Sequence, residues 1–574
     1  MRLLIVAKRS RSGPLRAALL ALVAFILTRS AVQAQPAPPA DDTRGRIEQL
    51  ERQVQELKAL LQQQAAHPAA LGAPTATIQP DLDPKAISKL VDDYLKGKEA
   101  TKAAKLKADE DKKKAEGSVV GDDNKLNLSW DGGGVRIKSA DEAFNLHIGG
   151  RLMTDQAWFR ESPNLNRSPA QPAGSPLGAL TGVGPGIGDL TDGFFLRRAR
   201  FVADGTFYKT IDFKIEFDFE NYNSIAFDES FVGLRDVPLL GLVRFGQMHV
   251  PFGLEAYTSS RFLPQLERSP LFDAFYQEFA PGIFTDTTFC NQRLTMQHMF
   301  HRIDNFSQFN GASFSDGRYA YSGRVSGLPF YEDEGRYLLH LGAAYQWRKG
   351  SNPGDFNGGT VLPSLPNPAL IQNTDLVRFR SRQSIRDAVG LQGDNNRVID
   401  TGNIFAEDVQ SINGELMFYW GPFWVQSEAC LAHVDNAVFP ASSAATARGN
   451  LNYYGTYVQV GYFLTGENRG YDKPFGRYAR VVPLENFFLV KDEDGHIQCG
   501  LGAWELTYRY AYVNLNDDAI LGGTYTEHTV GLNWYWSPNI KFQLNYINGH
   551  RNSLPAGAFT GTVQGIGLRA ALEF

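Results

Sequence analysis

The chain ends with the stretch Gly565-Ile566-Gly567-Leu568-Arg569-Ala570-Ala571-Leu572-Glu573-Phe574, and this stretch decides its fold class. Every second residue is apolar, up to the C-terminal phenylalanine, and the residues between are small or charged. Successive side chains of a β-strand point to opposite faces, so one face is apolar and the other carries Arg569 and Glu573. The pattern predicts a transmembrane β-strand about ten residues long. A soluble β-sandwich could also end on an amphipathic strand.

The same alternation recurs along the chain from about residue 119. Between residues 211 and 219, Ile and Phe alternate with Asp, Lys and Glu, and between residues 504 and 512, Trp, Leu and Tyr alternate with polar residues. Similar runs lie at Phe144–Ile148, Phe201–Phe207, Tyr319–Gly327, Tyr454–Leu464, Val530–Trp536 and Ile540–Ile547. Turn-rich segments separate them, above all at Glu161–Asp192 and Gly350–Asn373. An exported soluble sandwich rarely places aromatic residues on one face of so many strands. We predict an all-β transmembrane barrel over residues 119–574, with about 16 antiparallel strands at roughly 27 residues per strand and loop.

The N-terminus has the features of a secretory signal peptide. Four basic residues, Lys8, Arg9, Arg11 and Arg16, precede the apolar run Ala17–Leu27, and Val32-Gln33-Ala34 offers small residues for cleavage. No later stretch approaches the roughly 20 apolar residues of a transmembrane helix. We therefore predict that residues 1–34 are a signal peptide and that the exported protein enters a bilayer only as a barrel.

Residues 35–118 are predicted to be a periplasmic helical segment. A Pro/Ala tether at Gln35–Ala40 is followed by apolar residues at the 3,4 spacing of a short coiled coil: Ile47, Leu50, Val54, Leu57 and Leu61. Lys85–Lys114 then contains ten lysines and six acids. This part is either a solvated helical spacer or an arm that binds a periplasmic polymer, such as the cell wall, or an anionic surface.

The sequence offers little for catalysis or for a cofactor. Cys290, Cys430 and Cys499 form no CxxC motif, so they are unpaired or share one bridge. No Gly-x-Ser-x-Gly elbow occurs, and His298 and His301 would point to opposite faces of a strand. We predict no enzymatic activity, no cofactor, no metal site and no nucleic-acid partner.

A series of motifs follows in order between Phe144 and Phe574. They are Arg197-Arg198-Ala199-Arg200-Phe201 with Gly205, Ile211-Asp212-Phe213-Lys214-Ile215-Glu216-Phe217-Asp218-Phe219, Val232-Gly233-Leu234-Arg235, Val243-Arg244-Phe245-Gly246-Gln247, Pro251-Phe252-Gly253-Leu254-Glu255, Thr258-Ser259-Ser260-Arg261-Phe262 with Glu267-Arg268-Ser269, Gly323-Arg324-Val325-Ser326-Gly327-Leu328-Pro329 and Tyr462-Phe463-Leu464-Thr465-Gly466-Glu467-Asn468-Arg469. In these motifs the chain resembles the phosphate-selective porin O and P family. The resemblance implies a 16-stranded, usually trimeric porin of the bacterial outer membrane. It also implies that the third loop folds into the pore and that basic residues line an anion path.

Strand parity assigns one set of arginines to the lumen: Arg151, Arg198, Arg200, Arg235, Arg244, Arg324, Arg509 and Arg569. Rings of arginine favour anions in pores, and the guanidinium group matches phosphate oxygens in pairs. By family position the inward loop is Glu255–Phe279, and its candidate anion-binding residues are Ser259, Ser260, Arg261 and Arg268.

The charge balance leaves the solute open. Residues 119–574 contain 29 Arg and 8 Lys against 48 Asp and Glu. His249 lies where family members commonly carry lysine, and a neutral histidine would weaken an anion site. We predict a homotrimeric outer-membrane porin in contact with lipid, for passive diffusion of small anions such as phosphate or polyphosphate. The alternative is a general or weakly cation-selective porin whose N-terminal segment tethers the outer membrane to the cell wall.

Overall fold

A computed structural model describes residues 126–130, 133–166, 187–220, 225–303, 319–350, 377–388, 397–439, 446–491, 495–518, 520–552 and 560–574. Contacts divide the chain into two units, Met1–Glu110 and Asp111–Phe574, and all described residues belong to the second. The predicted signal peptide and the predicted coiled-coil segment lie outside the described residues.

Strands dominate the described part of the chain. They are β1 (Leu126–Trp130), β2 (Val135–Ser139), β3 (Phe144–Glu161), β4 (Gly193–Phe207), β5 (Ile211–Asp218), β6 (Ala226–Val237), β7 (Gly241–His249), β8 (Phe279–Phe289), β9 (Leu294–Arg302), β10 (Tyr319–Glu332), β11 (Tyr337–Lys349), β12 (Arg380–Ser381), β13 (Ile399–Asp400), β14 (Asp408–Trp420), β15 (Phe423–Phe439), β16 (Thr446–Phe463), β17 (Tyr471–Asp472), β18 (Arg477–Tyr478), β19 (Phe488–Lys491), β20 (Ile497–Gly500), β21 (Ala503–Asp517), β22 (Ile520–Tyr535), β23 (Ile540–Asn552) and β24 (Gly561–Glu573). Two short α-helices, α1 (Leu254–Tyr257) and α2 (Pro270–Phe275), and 3-10 turns at Ser260–Phe262 and Asp333–Gly335 complete the described elements.

Sixteen of these strands close into an antiparallel barrel, as predicted. The ring runs through β3 to β11, β14 to β16 and β21 to β24, each strand paired with the next. It closes where β24 pairs with β3, with Leu568 opposite Gln156. The other strands in residues 377–500 form three two-stranded sheets outside the ring. The membrane-facing wall therefore has no open edge.

The ring begins at Phe144, and a hairpin precedes it. Strand β2 pairs with the first residues of β3, with Val135 opposite Ile148, and β1 pairs with β2. Beyond Ile148, strand β3 is no longer bonded to β2 but to the C-terminal residue. The amide of Phe574 donates to the carbonyl of Gly150 at 3.1 Å. The boundary at residue 119 stays a prediction.

Burial follows the alternation of the sequence. On β24, Leu568 is 43% exposed while its neighbour Arg569 is 2% exposed. On β9, His298 faces outward and contacts the hydroxyl of Tyr321, whereas His301 faces inward and contacts Ser322. Apolar side chains thus cover the outside of the ring and polar side chains line the lumen.

The two rims differ in the length of their connections. One rim has short turns such as residues 208–210, 238–240 and 290–293, and it also holds Phe574. The other has long loops, including residues 250–278 and 350–407. Short turns mark the periplasmic side of such barrels, so we assign the rim with Phe574 to the periplasm. Within the described ranges, every helix is too short or too polar to cross a bilayer.

Gly461 on β16 leaves room on the inner wall for the ring of Trp424. A Cβ at this glycine would come within 2.3 Å of the indole ring, which is 1% exposed and donates to Glu505 at 2.8 Å. We expect Gly461→Ala to lower the free energy of unfolding by about 1–3 kcal/mol, because the buried ring must move. Urea unfolding in detergent measures this. The control is Gly414→Ala, where a Cβ meets nothing within 4 Å; equal effects of the two substitutions would contradict the explanation.

Candidate pore constriction

The loop between β7 and β8, residues 250–278, folds into the lumen, and we call it the inward loop. Most of its side chains are buried. At its start, the backbone amides of Leu254 and Glu255 donate to the carboxylate of Glu428 on β15 at 2.6 and 2.9 Å. Further along, the carbonyl of Pro264 accepts from Asn533 on β22 at 2.7 Å. The loop therefore crosses the lumen and is fixed to the opposite wall.

Glu267 is the main anchor of the inward loop. Arg197 donates to both of its carboxylate oxygens, at 2.8 and 2.9 Å, and Arg569 donates at 2.6 Å. Arg198 adds a contact at 3.5 Å. Burial alone would raise the pKa of Glu267, but Arg197, Arg198 and Arg569, together with Arg386, hold the pKa of this carboxyl well below its usual range. Glu267 is thus a charged group on which three arginines of two strands, β4 and β24, converge.

Arg268 and Glu255 hold the inward loop in its own shape. The Arg268 guanidinium donates to the carbonyls of Glu255 and Thr258 at 2.9 and 2.8 Å and pairs with Glu278 at 2.8 Å. The Glu255 carboxylate accepts from Ser269 at 2.6 Å and from Arg509 of the wall at 3.2 Å. Arg268, predicted as an anion ligand, therefore has its donors directed into the loop.

A second segment enters from the extracellular side, between β11 and β14. Its described residues, 377–388 and 397–407, bring Arg382, Arg386 and Arg397 around Asp273 of α2, at 3.1, 3.6 and 3.4 Å. Burial opposes the charge on Asp273, but these three guanidiniums outweigh it and lower its pKa. This extracellular segment packs the inward loop against the barrel wall.

A third segment enters from the periplasmic rim, where the other turns are short. We call residues 464–491 and 495–502, between β16 and β21, the periplasmic segment. Arg324 of β10 donates to the carbonyl of Gly476 at 2.7 Å and pairs with Glu415 at 2.8 Å. Arg469 of the segment donates to the carbonyl of Phe262 at 2.9 Å. The periplasmic segment thus contacts the inward loop from the periplasmic side.

The predicted pore arginines line the inner wall mostly as ion pairs. Seven of the eight have a carboxylate partner: Arg151 with Glu216, Arg198 with Glu267, Arg200 with Asp218, Arg244 with Asp212, Arg324 with Glu415, Arg509 with Glu255 and Arg569 with Asp155. Arg235 is exposed near the end of β6 and lines a cavity of about 260 Å³ with Arg244 and Lys214. Carboxylates therefore balance most of the arginine charge on the wall.

Ser259, Ser260 and Arg261 lie together at the edge of the inward loop. Arg151 donates to the hydroxyl of Ser260 at 2.9 Å and to that of Ser259 at 3.3 Å. Arg261 is partly exposed, and within the described part of the chain no carboxylate lies at ion-pair distance from its guanidinium group. Arg151 and Lys214 are close enough to act on it electrostatically. Of the predicted constriction residues, the structure brings these three together and directs Arg268 elsewhere.

Sequence reasoning missed the acidic anchors and the periplasmic segment. Glu255 and Glu267 stood in the quoted motifs but received no role. The segment contains Gly470-Tyr471-Asp472-Lys473-Pro474-Phe475-Gly476-Arg477-Tyr478, an aromatic-rich run at a place where a short turn is normal. The length and the aromatic content of this connection could have indicated that it does not form an ordinary short turn. His249, discussed as a weak point of an anion site, pairs with Glu229 at 3.0 Å.

The described residues hold no group of three or more His, Cys, Asp and Glu placed to bind a metal ion. Cys290, Cys430 and Cys499 are all free in the structure.

Comparisons with known proteins identify a family for this chain. The model of the phosphate-selective porin O and P family matches residues 188–569. Porin O of Pseudomonas aeruginosa is 25% identical over 443 residues, which cover 74% of this chain and 86% of that protein. An uncharacterized protein of Caulobacter vibrioides is 25% identical over 356 residues, 61% of this chain and 62% of that one.

Similar solved structures include the anion-selective porin from Comamonas acidovorans, with 12% identity and a TM-score of 0.41 over 75% of this chain and 99% of that one. The outer membrane channel DcaP of Acinetobacter baumannii has 13% identity and a TM-score of 0.40 over 76% and 99%. The family match covers well over half of the chain and includes the inward loop and most of the barrel. The chain therefore belongs to the phosphate-selective porin O and P family.

Proposed function

We propose that this outer-membrane porin passes small anions by passive diffusion, with phosphate or polyphosphate as candidate solutes, and that Arg261 contacts them at the constriction. The family consists of porins, which supports a channel function for this chain. The absence of enzymatic activity stays a prediction. The observation that carries the anion preference is the position of Arg261, which is partly exposed beside Arg151 and Lys214 with no carboxylate in ion-pair range among the described residues.

Paired arginines contribute little to such a preference. A guanidinium that already binds a carboxylate in two places presents a nearly neutral surface to a passing ion, and most of its donors are occupied. An unpaired guanidinium keeps its charge and its donors for the solute. Conduction also requires that each site release the ion as readily as it binds it. One exposed cation at a narrow point meets both requirements.

Ser259 and Ser260 support the same contact. Each hydroxyl accepts a hydrogen bond from Arg151, so its own O–H remains to donate. Two hydroxyl donors beside a guanidinium can replace part of the hydration that an oxyanion loses at the constriction. The neighbouring Glu216 limits the preference, because it pairs with Arg151 at 2.6 Å and lies in the field of Arg261.

The test is the substitution Arg261→Gln. We expect the reversal potential across a KCl gradient to shift toward cations and any block by added phosphate to weaken roughly ten-fold or more, because a charge-assisted hydrogen bond of about 1.5–3 kcal/mol is lost. The matched control is Arg160→Gln, which removes the same charge from an exposed position at the extracellular end of β3. Unchanged selectivity in the Arg261 variant would overturn the proposal.

Carboxylates balance most of the arginine charge on the inner wall, and this favours a second candidate function, a general porin with weak selectivity. In that case the wild-type reversal potential stays near zero and phosphate leaves the current unchanged. The homotrimer and the cell-wall contact of the N-terminal segment remain predictions. Deleting residues 41–117 tests the contact: loss of envelope integrity with unchanged conductance is the result expected of a tether.

A further inference from the structure

The outer wall carries a cluster of aromatic rings at its periplasmic end. Trp504 of β21, Trp534 of β22, Trp536 just after it and Phe542 of β23 alternate with buried inward residues, so they face outward. The rings of Trp504 and Trp534 stack with their centroids 4.7 Å apart, and those of Trp536 and Phe542 lie 4.6 Å apart. Aromatic girdles mark the two membrane interfaces of transmembrane barrels. The cluster therefore marks the periplasmic interface.

The periplasmic segment leaves the lumen and reaches this outer cluster. Val481 is 4% exposed and belongs to the buried cluster that contains Trp424 of the inner wall. Phe487 lies on the outside, with its ring centroid 4.6 Å from that of Trp534 and 4.8 Å from that of Trp536. Its amide donates to the carbonyl of Trp536 at 2.7 Å. The chain thus crosses the rim of the barrel between Val481 and Phe487.

Leu501 attaches the periplasmic segment to the same cluster a second time. Its carbonyl accepts hydrogen bonds from the indole nitrogens of Trp504 and Trp534, at 3.2 and 2.9 Å. The polar N–H group of a tryptophan in a membrane-interface belt ordinarily lies at the wet end of the ring. Here the backbone of the periplasmic segment occupies that level. The β19–β20 hairpin lies between Phe487 and Leu501, so both of its ends are held at the membrane interface.

Apolar side chains of this hairpin and of its flanks are exposed: Leu484 by 71%, Phe488 by 57%, Ile497 by 67% and Leu501 by 65%. In the register of the hairpin, Phe488 lies opposite Gly500 and Lys491 lies opposite Ile497. Phe488 and Ile497 therefore point to opposite faces. A two-stranded hairpin is at best marginally stable in water, and this one exposes apolar side chains on both faces. An apolar surrounding would stabilise it from both sides.

We propose that the β19–β20 hairpin lies in the headgroup region of the periplasmic leaflet and anchors the periplasmic segment to phospholipid. Phe488, Ile497 and Leu501 enter the boundary between headgroups and acyl chains, where their burial removes apolar surface from water. Lys491 is exposed next to them. Its alkyl stem lies along the apolar surface while its ammonium group reaches the lipid phosphates.

Continuity with the lipid-facing wall identifies phospholipid as the occupant. The aromatic cluster that holds Phe487 and Leu501 adjoins outward leucines of the same strands, Leu506 of β21 and Leu544 of β23, which are exposed on the wall that lipid covers. A leaflet surrounds an inserted element and covers both of its faces, whereas a docked protein surface covers one. Phospholipid therefore accounts for the two attachments to the girdle and for the two apolar faces at once.

Fluorescence quenching in vesicles tests this anchor. Cys430 is buried whereas Cys290 and Cys499 are exposed, so the full-length Cys290→Ser protein can be labelled with a fluorophore at Cys499 of β20. In vesicles of phosphatidylethanolamine and phosphatidylglycerol with iodide on both sides, we expect nitroxide-labelled phospholipid to quench this fluorophore and iodide quenching to be lost. The matched control is Cys499→Ser labelled at Cys290, on a polar turn of the same rim, where iodide should quench. Equal quenching of the two fluorophores by both reagents would overturn the proposal.

A charge on the hairpin gives a second readout from the same labelled protein. Phe488→Asp should weaken the quenching by phospholipid and restore the quenching by iodide, because a charged side chain is costly among acyl chains. The control is Leu239→Asp, which removes an apolar side chain that is 95% exposed on another turn of the same rim and should change neither value. If Phe488→Asp also changes neither value, Phe488 does not lie in lipid and the anchor is refuted.

Crosslinking keeps the proposal testable if a labelled variant fails to fold. A benzoylphenylalanine in place of Phe488 keeps an aromatic side chain at this position and, irradiated in whole cells, should form adducts with phospholipid. The control carries the probe at Glu334, which is exposed on a polar turn of the same rim and should form no lipid adduct. Adducts with protein alone at position 488 would show that a protein covers the hairpin and would refute the lipid anchor.

Discussion

Replacing Glu267 with glutamine should release the inward loop and raise the single-channel conductance. Arg197, Arg198 and Arg569 all converge on this carboxylate, which is 6% exposed. Removing one partner of a buried ion pair leaves uncompensated charge and costs about 3–5 kcal/mol. The freed guanidiniums would then repel one another, and the loop is the part that can move. A displaced loop widens the pore and exposes three cations, so anion preference should rise together with conductance.

Planar bilayer recordings measure both quantities, and urea unfolding in detergent measures the loss of stability. Glu332→Gln is the matched control, because Glu332 is exposed at the end of β10 and its substitution leaves the lumen unchanged. A Glu267 variant with wild-type conductance and wild-type stability would show that the other contacts of the loop hold it without this anchor.

The ion pairs of Glu267 also lead to a prediction for the conductance at low pH. The folded-state pKa of Glu267 lies well below the usual 4.5. A carboxyl with a depressed pKa contributes stability that is fully present above its unfolded pKa and is lost as the pH falls through the folded pKa. We therefore expect the conductance to stay constant down to about pH 4.5 and to rise only below it. A rise that is complete above that pH would contradict the role of Glu267.

Replacing Arg324 with methionine should free the periplasmic segment. Arg324 is 1% exposed and joins Glu415 of β14 to the carbonyls of Phe475 and Gly476. Methionine keeps much of the volume but leaves the Glu415 carboxylate without its cation, at a cost of about 3–5 kcal/mol. The expected results are a higher conductance and a shift of the reversal potential toward cations, because a negative charge becomes available in the lumen.

The double variant Arg324→Met with Glu415→Leu separates two effects of the single substitution: the unpaired charge of Glu415, and the loss of the hydrogen bonds by which Arg324 holds Phe475 and Gly476. Replacing both members of a buried pair by apolar residues is often close to neutral for stability. The double variant should therefore regain stability and lose the cation shift, yet keep the higher conductance because Phe475 and Gly476 are still released. Protease cleavage within residues 464–491 gives an independent readout of the freed segment. Resistance to cleavage together with wild-type conductance would show that Arg324 does not hold the periplasmic segment in the lumen.

The alternation of apolar and polar residues predicted much of the fold. The period of two in stretches such as residues 565–574 is a local property, so it assigned the outer and inner faces and the inner-wall positions of Arg324, Arg509 and Arg569 without any long-range information. The length of the strand-rich region predicted about 16 strands, and the family resemblance of the motifs implied the same number and a loop that enters the pore. The membrane explains why this worked, because lipid on one face imposes a strict pattern on every strand.

Tertiary structure decided which charges meet. Glu267 is 70 residues from Arg197 and 302 residues from Arg569, and neither pairing leaves a periodic trace in the sequence. The sequence predicted a row of eight lumenal arginines, but only the folded chain shows that seven of them face a carboxylate. It also shows that no carboxylate of the described residues lies at ion-pair distance from Arg261 of the inward loop. The entry of the periplasmic segment into the lumen likewise depends on Arg324 and Glu415, which lie on strands separated by β11. Local sequence sets the face to which a side chain points, whereas its partner across a closed barrel is set by the register and by the loops that fill the lumen.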